Sequence, residues 1–231
     1  MEGHFQFCPR CGQERGHQNE NFRSFINHFL KDYFTFDSKI FKSLKPLIVK
    51  PGFLTTEFRS GKRVNYIPPL RMYILISILF FLLLSVFGDD THQKDDWDHF
   101  FDDYLPRLFF ILLPVFAGIV AVLFVRRDRS FVTHFVYSLH FHSFVFLATS
   151  FYLCLSEIGK WIGFLRLNAV LLYLLLLAIG GYLVVSMKRV YSQGWGKSFL
   201  KTLLLLILYT GVLFLVISVA FLVLPGIGIS S

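Results

Sequence analysis

Leu70-Arg-Met-Tyr-Ile-Leu-Ile-Ser-Ile-Leu-Phe-Phe-Leu-Leu-Leu-Ser-Val-Phe87 is the stretch that decides the class of this chain. Apart from Arg71 it carries no charge, and its length matches the roughly 20 residues of helix that cross a hydrocarbon core. Four further runs share the pattern: Leu108 to Val125, Phe135 to Leu155, Asn168 to Met187 and Phe199 to Leu224. The expected fold is therefore all-α, a polytopic membrane protein with five transmembrane helices.

The connections between these runs change the sign of their charge. Arg59, Lys62 and Arg63 precede the first span, Arg126, Arg127 and Arg129 follow the second, and Lys188, Arg189, Lys197 and Lys201 surround the fourth-to-fifth connection. The first-to-second connection instead holds Asp89, Asp90, Asp95, Asp96, Asp98, Asp102 and Asp103. Short Lys- and Arg-rich loops stay cytoplasmic, so the expected topology has the N-terminus inside and the C-terminus outside, with Lys160 and Arg166 as the mild violation. The expected location is a membrane, multi-pass.

Composition supports this class. The chain is 55% hydrophobic with 29 Phe, and its net charge of +8 gathers at span ends as anchors. That placement excludes a nucleic-acid face. Met1 to Cys11 lacks a charged segment followed by an apolar one, so the first span is expected to direct insertion itself. Three cysteines, with Cys154 inside a span, give no disulfide framework.

Three regions are expected: residues 1–20 as a knuckle-like segment, residues 21–69 as cytoplasmic or interfacial helices, and residues 70–231 as the membrane body. Asn21 to Phe34 sets Phe22, Phe25, Ile26, Phe29, Leu30 and Tyr33 on one helical face. Ser38 to Val49 repeats the pattern more weakly, and Pro46 argues for a kink or break there. Aromatic faces with Lys rims suit the plane of a membrane interface; packing of the two helices on one another as a small subdomain is the alternative.

The sharpest local motif is Cys8-Pro-Arg-Cys11-Gly-Gln. Two thiolates two residues apart grip half of a tetrahedral zinc site, with His4 and His17 as the nearest further ligands. A site shared between two chains, an unmetallated turn and redox chemistry stay open beside it. The Asp-rich loop lacks the Gly and Glu of a calcium loop and reads as solvated exterior.

Pro51-Gly52, Gly61-Lys62-Arg63, Tyr66-Ile67-Pro68-Pro69, Arg71 and Tyr73 form a second motif. Together with the Cys-x-x-Cys-Gly-Gln start, it resembles an uncharacterised family of bacterial membrane proteins of unknown function, best known from Bacteroidetes. The resemblance covers the first third of the chain and implies a location in the bacterial inner membrane, without an activity.

Physically, this second motif is a basic turn entering the bilayer. Arg59, Lys62 and Arg63 are expected at headgroup depth, with Arg71 snorkelling back toward the phosphates. The bland reading is anchoring by positive charge. The functional one is a site for a phosphate-bearing lipid, with Tyr66 and Tyr73 flanking the guanidinium groups.

Inside the body, His134, Ser138 and His142 fall along one stripe of the third span, while His140 points away with Tyr137 and Phe144. Hydrogen bonding of neutral imidazoles to neighbouring helices is expected, against a proton relay or metal site. Two function classes follow: a non-enzymatic scaffold or regulator whose zinc-bound head recruits a cytoplasmic protein or a second copy, and a lipid-handling or transport protein that binds anionic lipid. The lack of a nucleophile motif, a P-loop or an embedded carboxylate favours the first.

Overall fold

A computed structural model describes residues 39–87, 96–163 and 165–223 of the chain. Among them are seven helices and no strand: α1 (Lys39–Val49), α2 (Phe53–Arg59), α3 (Pro69–Phe87), α4 (Asp96–Phe124), α5 (Phe131–Trp161), α6 (Leu165–Val190) and α7 (Trp195–Val223). The helices α3 to α7 are long and apolar enough to cross a membrane. They outrun the apolar stretches of the sequence. The α4 helix starts at Asp96 rather than near Leu108, and α5 extends past Phe135 and Leu155 at both ends. Backbone hydrogen bonding continues beyond an apolar run wherever packing supports it, as at Thr133, His134, Ser156 and Gly159, all buried.

The α5 helix is the axis of the molecule. It packs against α3, α4 and α6 and also receives α1 and α2, while α7 closes against α4 and α6. Its lower half is buried nearly all round, from Thr133 to Phe144 with few breaks. The outer helices, in contrast, expose Ile78, Leu82, Val122, Leu176, Ile207, Phe214 and Leu215. So large an apolar surface suits hydrocarbon rather than water. Inside, an aromatic block joins α3, α4 and α5: Phe80 stacks on Phe146 at 4.8 Å and Phe109 meets the same ring edge-on at 4.9 Å. Offset and edge-on rings of this kind add to plain area burial.

One end of the bundle collects the basic connections. The Lys201 ammonium donates to the Leu123 carbonyl at 2.6 Å and lies over the Phe124 ring, which ties the start of α7 to the end of α4. Arg59 joins the end of α2 to the α4–α5 loop through Asp128 at 3.5 Å, and donates to the Val190 carbonyl at the end of α6 at 3.2 Å.

The helices α1 and α2 form a short hairpin against this end. The α1 helix runs through Pro46 without a break: one intrahelical bond is lost, and docking of Ser43 and Leu47 outweighs it. The Ser43 hydroxyl accepts the Ile67 N–H at 2.9 Å, which holds the following turn on α1. At the tip, Gly52 has φ 75° and presses on α6: a Cβ there would stand 2.8 Å from the Ser186 carbonyl oxygen. Arg189 locks the contact by donating to the Pro51 carbonyl at 2.7 Å. The hairpin therefore packs on the long helices themselves.

Candidate functional site

The turn after α2 sets the site. Gly61, at φ 82°, ends the helix in a Schellman motif, its N–H donating to the Phe58 carbonyl at 3.1 Å and that of Lys62 to the Glu57 carbonyl at 3.0 Å. This reversal turns Lys62 and Arg63 back alongside α2. The Arg63 guanidinium settles over the Phe58 ring at 4.1 Å and makes no ion pair among the described residues. Lys62 reaches the Glu57 carboxylate at 3.3 Å, both at the surface. Tyr66 packs edge-on against Phe53.

Between these groups and α5 lies a cleft of about 150 Å³, walled by Phe58, Lys62, Arg63, Tyr66 and the Pro68-Pro69 start of α3, with His140 at its inner side. His140 is 5% exposed, and its Nδ1 lies 2.8 Å from the buried Thr55 hydroxyl on α2. The most economical tautomer has Thr55 donating to Nδ1, because the Thr55 hydroxyl has no other acceptor among the described residues. Nε2–H is then left for a ligand. Beyond Tyr66 a shallower groove continues past Lys42, Lys45 and Asn65.

The sequence-derived anion site divides. Lys62, Arg63 and Tyr66 line the cleft. Arg59 turns away to Asp128 and Val190. Arg71 is 5% exposed, enclosed by protein rather than turned out to headgroup depth, and Tyr73 is buried against the Phe110 and Phe146 rings. In a bundle surrounded by lipid, the sequence pattern does not tell a protein-facing side from a lipid-facing one, since both are apolar. His140 joins the site from a different expected set, and Thr55, which positions it, carried no sequence signal.

His134, Ser138, His142 and Tyr137 of α5 bond to neighbouring elements. The His134 Nε2–H donates to the Asp128 carbonyl at 3.1 Å, and Tyr191 O–H donates to Nδ1 at 2.8 Å. Burial, with Tyr137 and Asp128 adding to it, pushes the Tyr191 phenol far above its ordinary range, so the hydroxyl stays a donor. Ser138 donates to the Leu113 carbonyl of α4 at 2.9 Å. His142 Nδ1–H donates to the Ser138 carbonyl at 2.8 Å, and its Nε2 accepts from Tyr209 of α7 at 3.2 Å. Tyr137 donates to Ser186 of α6 at 2.8 Å. The stripe His134, Ser138 and His142 is thus bonded to Tyr191, to the Leu113 carbonyl of α4 and to Tyr209 of α7.

Cys8, Cys11, His4, His17 and the helix expected over 21–34 lie outside the described residues, as do the side chains of the Asp-rich loop. Among the described residues no group of three or more His, Cys, Asp or Glu could hold a metal ion.

A family model described as a protein of unknown function (DUF3667) matches residues 37–81. The matched stretch takes in α1, α2, the basic turn and most of α3, and so contains every wall of the cleft except His140. It agrees with the resemblance of this region to a family of unknown function, while the Cys8–Cys11 start falls outside the match. No curated protein and no solved structure matches the chain.

Proposed function

We propose that the protein is a multi-pass protein of a bacterial inner membrane that binds the phosphate of a lipid headgroup in the cleft between α2, the Gly61–Pro69 turn and α5. The observation that carries this reading is the donor character of the cleft. Arg63, Lys62, the Tyr66 hydroxyl and His140 Nε2–H all donate, and no carboxylate stands in its wall. A largely apolar cleft whose polar side chains are all donors, at the positive end of a bundle, suits an anion, and a guanidinium presents a fork matched to phosphate. Placed at the cytoplasmic leaflet, each nearby cation adds about 1 kcal/mol of attraction to anionic lipid. Pro68 and Pro69 begin α3 at the cleft, so a bound headgroup has its chains beside a helix that suits the bilayer.

The scaffold reading rests on a zinc-bound head at Cys8, Cys11, His4 and His17 and draws no support from the described residues. Lipid binding is tested on the full-length protein, purified with native lipids in phosphate-containing and phosphate-free buffer and weighed intact. Retained phospholipid or polyprenyl phosphate is expected in both buffers, which separates a lipid site from one for free phosphate. Arg63→Ala should weaken it by about 10- to 100-fold, the range of a lost charge-assisted hydrogen bond. Equal lipid retention in wild type and an Arg63→Ala/Lys62→Ala variant would end this reading.

A further inference from the structure

The cleft does not end at Tyr66. The same residue borders a second, shallower groove of about 560 Å³, walled by Phe41, Lys42, Lys45 and Pro46 of α1 and by Asn65. The two hollows differ in what surrounds them. The Pro68-Pro69 start of α3 walls the cleft, whereas no residue of the long helices walls the groove, which lies along the exposed face of α1. A lipid whose phosphate sits in the cleft with its chains beside α3 therefore directs the far side of its headgroup into the groove.

Lys42 and Lys45 stand one turn apart on α1, both exposed. Neither pairs with an acidic side chain among the described residues, and Glu57 and Asp128, acids of the same end of the bundle, are engaged by Lys62 and Arg59. Other cations of the hairpin region serve the fold: Arg59 and Arg189 donate to the Val190 and Pro51 carbonyls, and Lys50 lies over the Phe53 ring. Lys42 and Lys45 have no such task. Like charges one turn apart on a helix repel, and an anion between them turns that cost into attraction. Asn65 adds an amide donor, and no carboxylate stands in the wall of the groove.

We infer that the ligand of the cleft is a lipid bearing two phosphates, the first held by Arg63 and His140 and the second by Lys42, Lys45 and Asn65, with Tyr66 between them. This rests on the lipid-phosphate reading and narrows it from a single headgroup phosphate to a diphosphate. A lysine ammonium is a point charge that takes phosphate oxygens from several directions, which suits the more open of the two hollows. A headgroup with one phosphate and an uncharged remainder brings the two lysines nothing, and one ending in an ammonium is repelled by them.

The full-length protein is reconstituted into phosphatidylcholine nanodiscs with matched pairs of probes, dioleoyl phosphatidate against dioleoylglycerol diphosphate and polyprenyl phosphate against polyprenyl diphosphate, and is weighed intact. In at least one pair the diphosphate should be retained about 10- to 30-fold more strongly, the range of two further ammonium contacts near the surface. Lys42→Gln/Lys45→Gln keeps two long polar side chains on an exposed helix face and should bring that ratio close to one, whereas Arg63→Ala should weaken both members of a pair. Arg126→Gln/Lys197→Gln removes as much charge from the same end of the bundle outside the groove and should leave the ratio unchanged. An equal fall in both double variants would show general attraction and overturn the inference. Equal retention of mono- and diphosphate by wild type, with Arg63→Ala still weakening both, would overturn the diphosphate assignment alone. Retention of neither would end the cleft reading and this one with it. Displacement of the lipid by an equal concentration of inorganic diphosphate would assign the site to a free ion and overturn the inference likewise.

Discussion

Gly52 and Gly61 share a left-handed backbone, at φ 75° and 82°, but not a neighbourhood. Nothing lies within 4 Å of a Cβ built on Gly61, whereas one built on Gly52 meets the Ser186 carbonyl at 2.8 Å and the Val190 methyl at 3.0 Å. Alanine at Gly61 therefore carries only the left-handed strain, about 1–2 kcal/mol. Alanine at Gly52 carries that strain and an overpacking cost of about 1–3 kcal/mol besides. Thermal unfolding in one detergent should rank the variants wild type, Gly61→Ala, Gly52→Ala. Equal losses for both would show that α6 does not need the close approach of the hairpin tip. The two glycines also give physical content to the Pro-Gly and Gly-Lys-Arg pairs of the sequence: one lets the hairpin touch α6, the other ends α2 so that Lys62 and Arg63 reach the cleft. Both stand in the second motif of the sequence, but the contact with Ser186, far along the chain, was not legible there.

Among the long helices, α7 is the least enclosed, and its attachment rests on a few contacts. Leu205 is its fully buried apolar anchor, Thr202 donates to the Met187 sulfur at 3.3 Å, Lys201 caps the end of α4, and Tyr209 reaches His142. Hydrogen bonds between helices in a membrane average about 0.6 kcal/mol, and an acceptor left unsatisfied in a protein interior costs about 1–3 kcal/mol. Tyr209→Phe keeps the ring against Phe116 and removes only the hydroxyl, so it should destabilise by about 1 kcal/mol and speed hydrogen exchange in α7 more than in α3. Unchanged exchange in α7 would mean that Tyr209 does not hold it. Sequence periodicity made the existence of these helices legible, because each apolar run is long, and it made the His134, Ser138 and His142 stripe legible through the helical repeat. The partners were hidden for a simple reason. Tyr191, Thr55 and Tyr209 lie 57, 85 and 67 residues from the histidines they bond, and nothing local to either partner records such a pairing.

At the scale of the whole molecule, the ends of the bundle differ in charge. The end of α4, the start of α5, the end of α6 and the start of α7 converge through His134–Tyr191 and Lys201–Leu123, and they bring Arg126, Arg127, Arg129, Lys188, Arg189, Lys197 and Lys201 together with Arg59, Lys62 and Arg63 of the hairpin. Asp128 and Glu57 are acidic residues at that end, and each is engaged by a neighbouring cation. Such an excess is retained on the cytoplasmic side during insertion, because moving it across would carry many positive charges through the bilayer. The opposite end carries the seven aspartates, three in the connection between α3 and α4 and four in the first turns of α4. An alkaline phosphatase, active only outside the cytoplasm, should therefore be active when inserted within residues 89–95 or fused after Ser231, and silent within Arg126–Arg129. Activity at Arg126–Arg129 would invert the molecule. It would also remove the cleft from the anionic cytoplasmic leaflet, so this measurement bears on the lipid-phosphate reading before any lipid is weighed. The two results together distinguish a donor-lined cleft that meets its ligand in the membrane from one whose charges serve only to hold the helices in place.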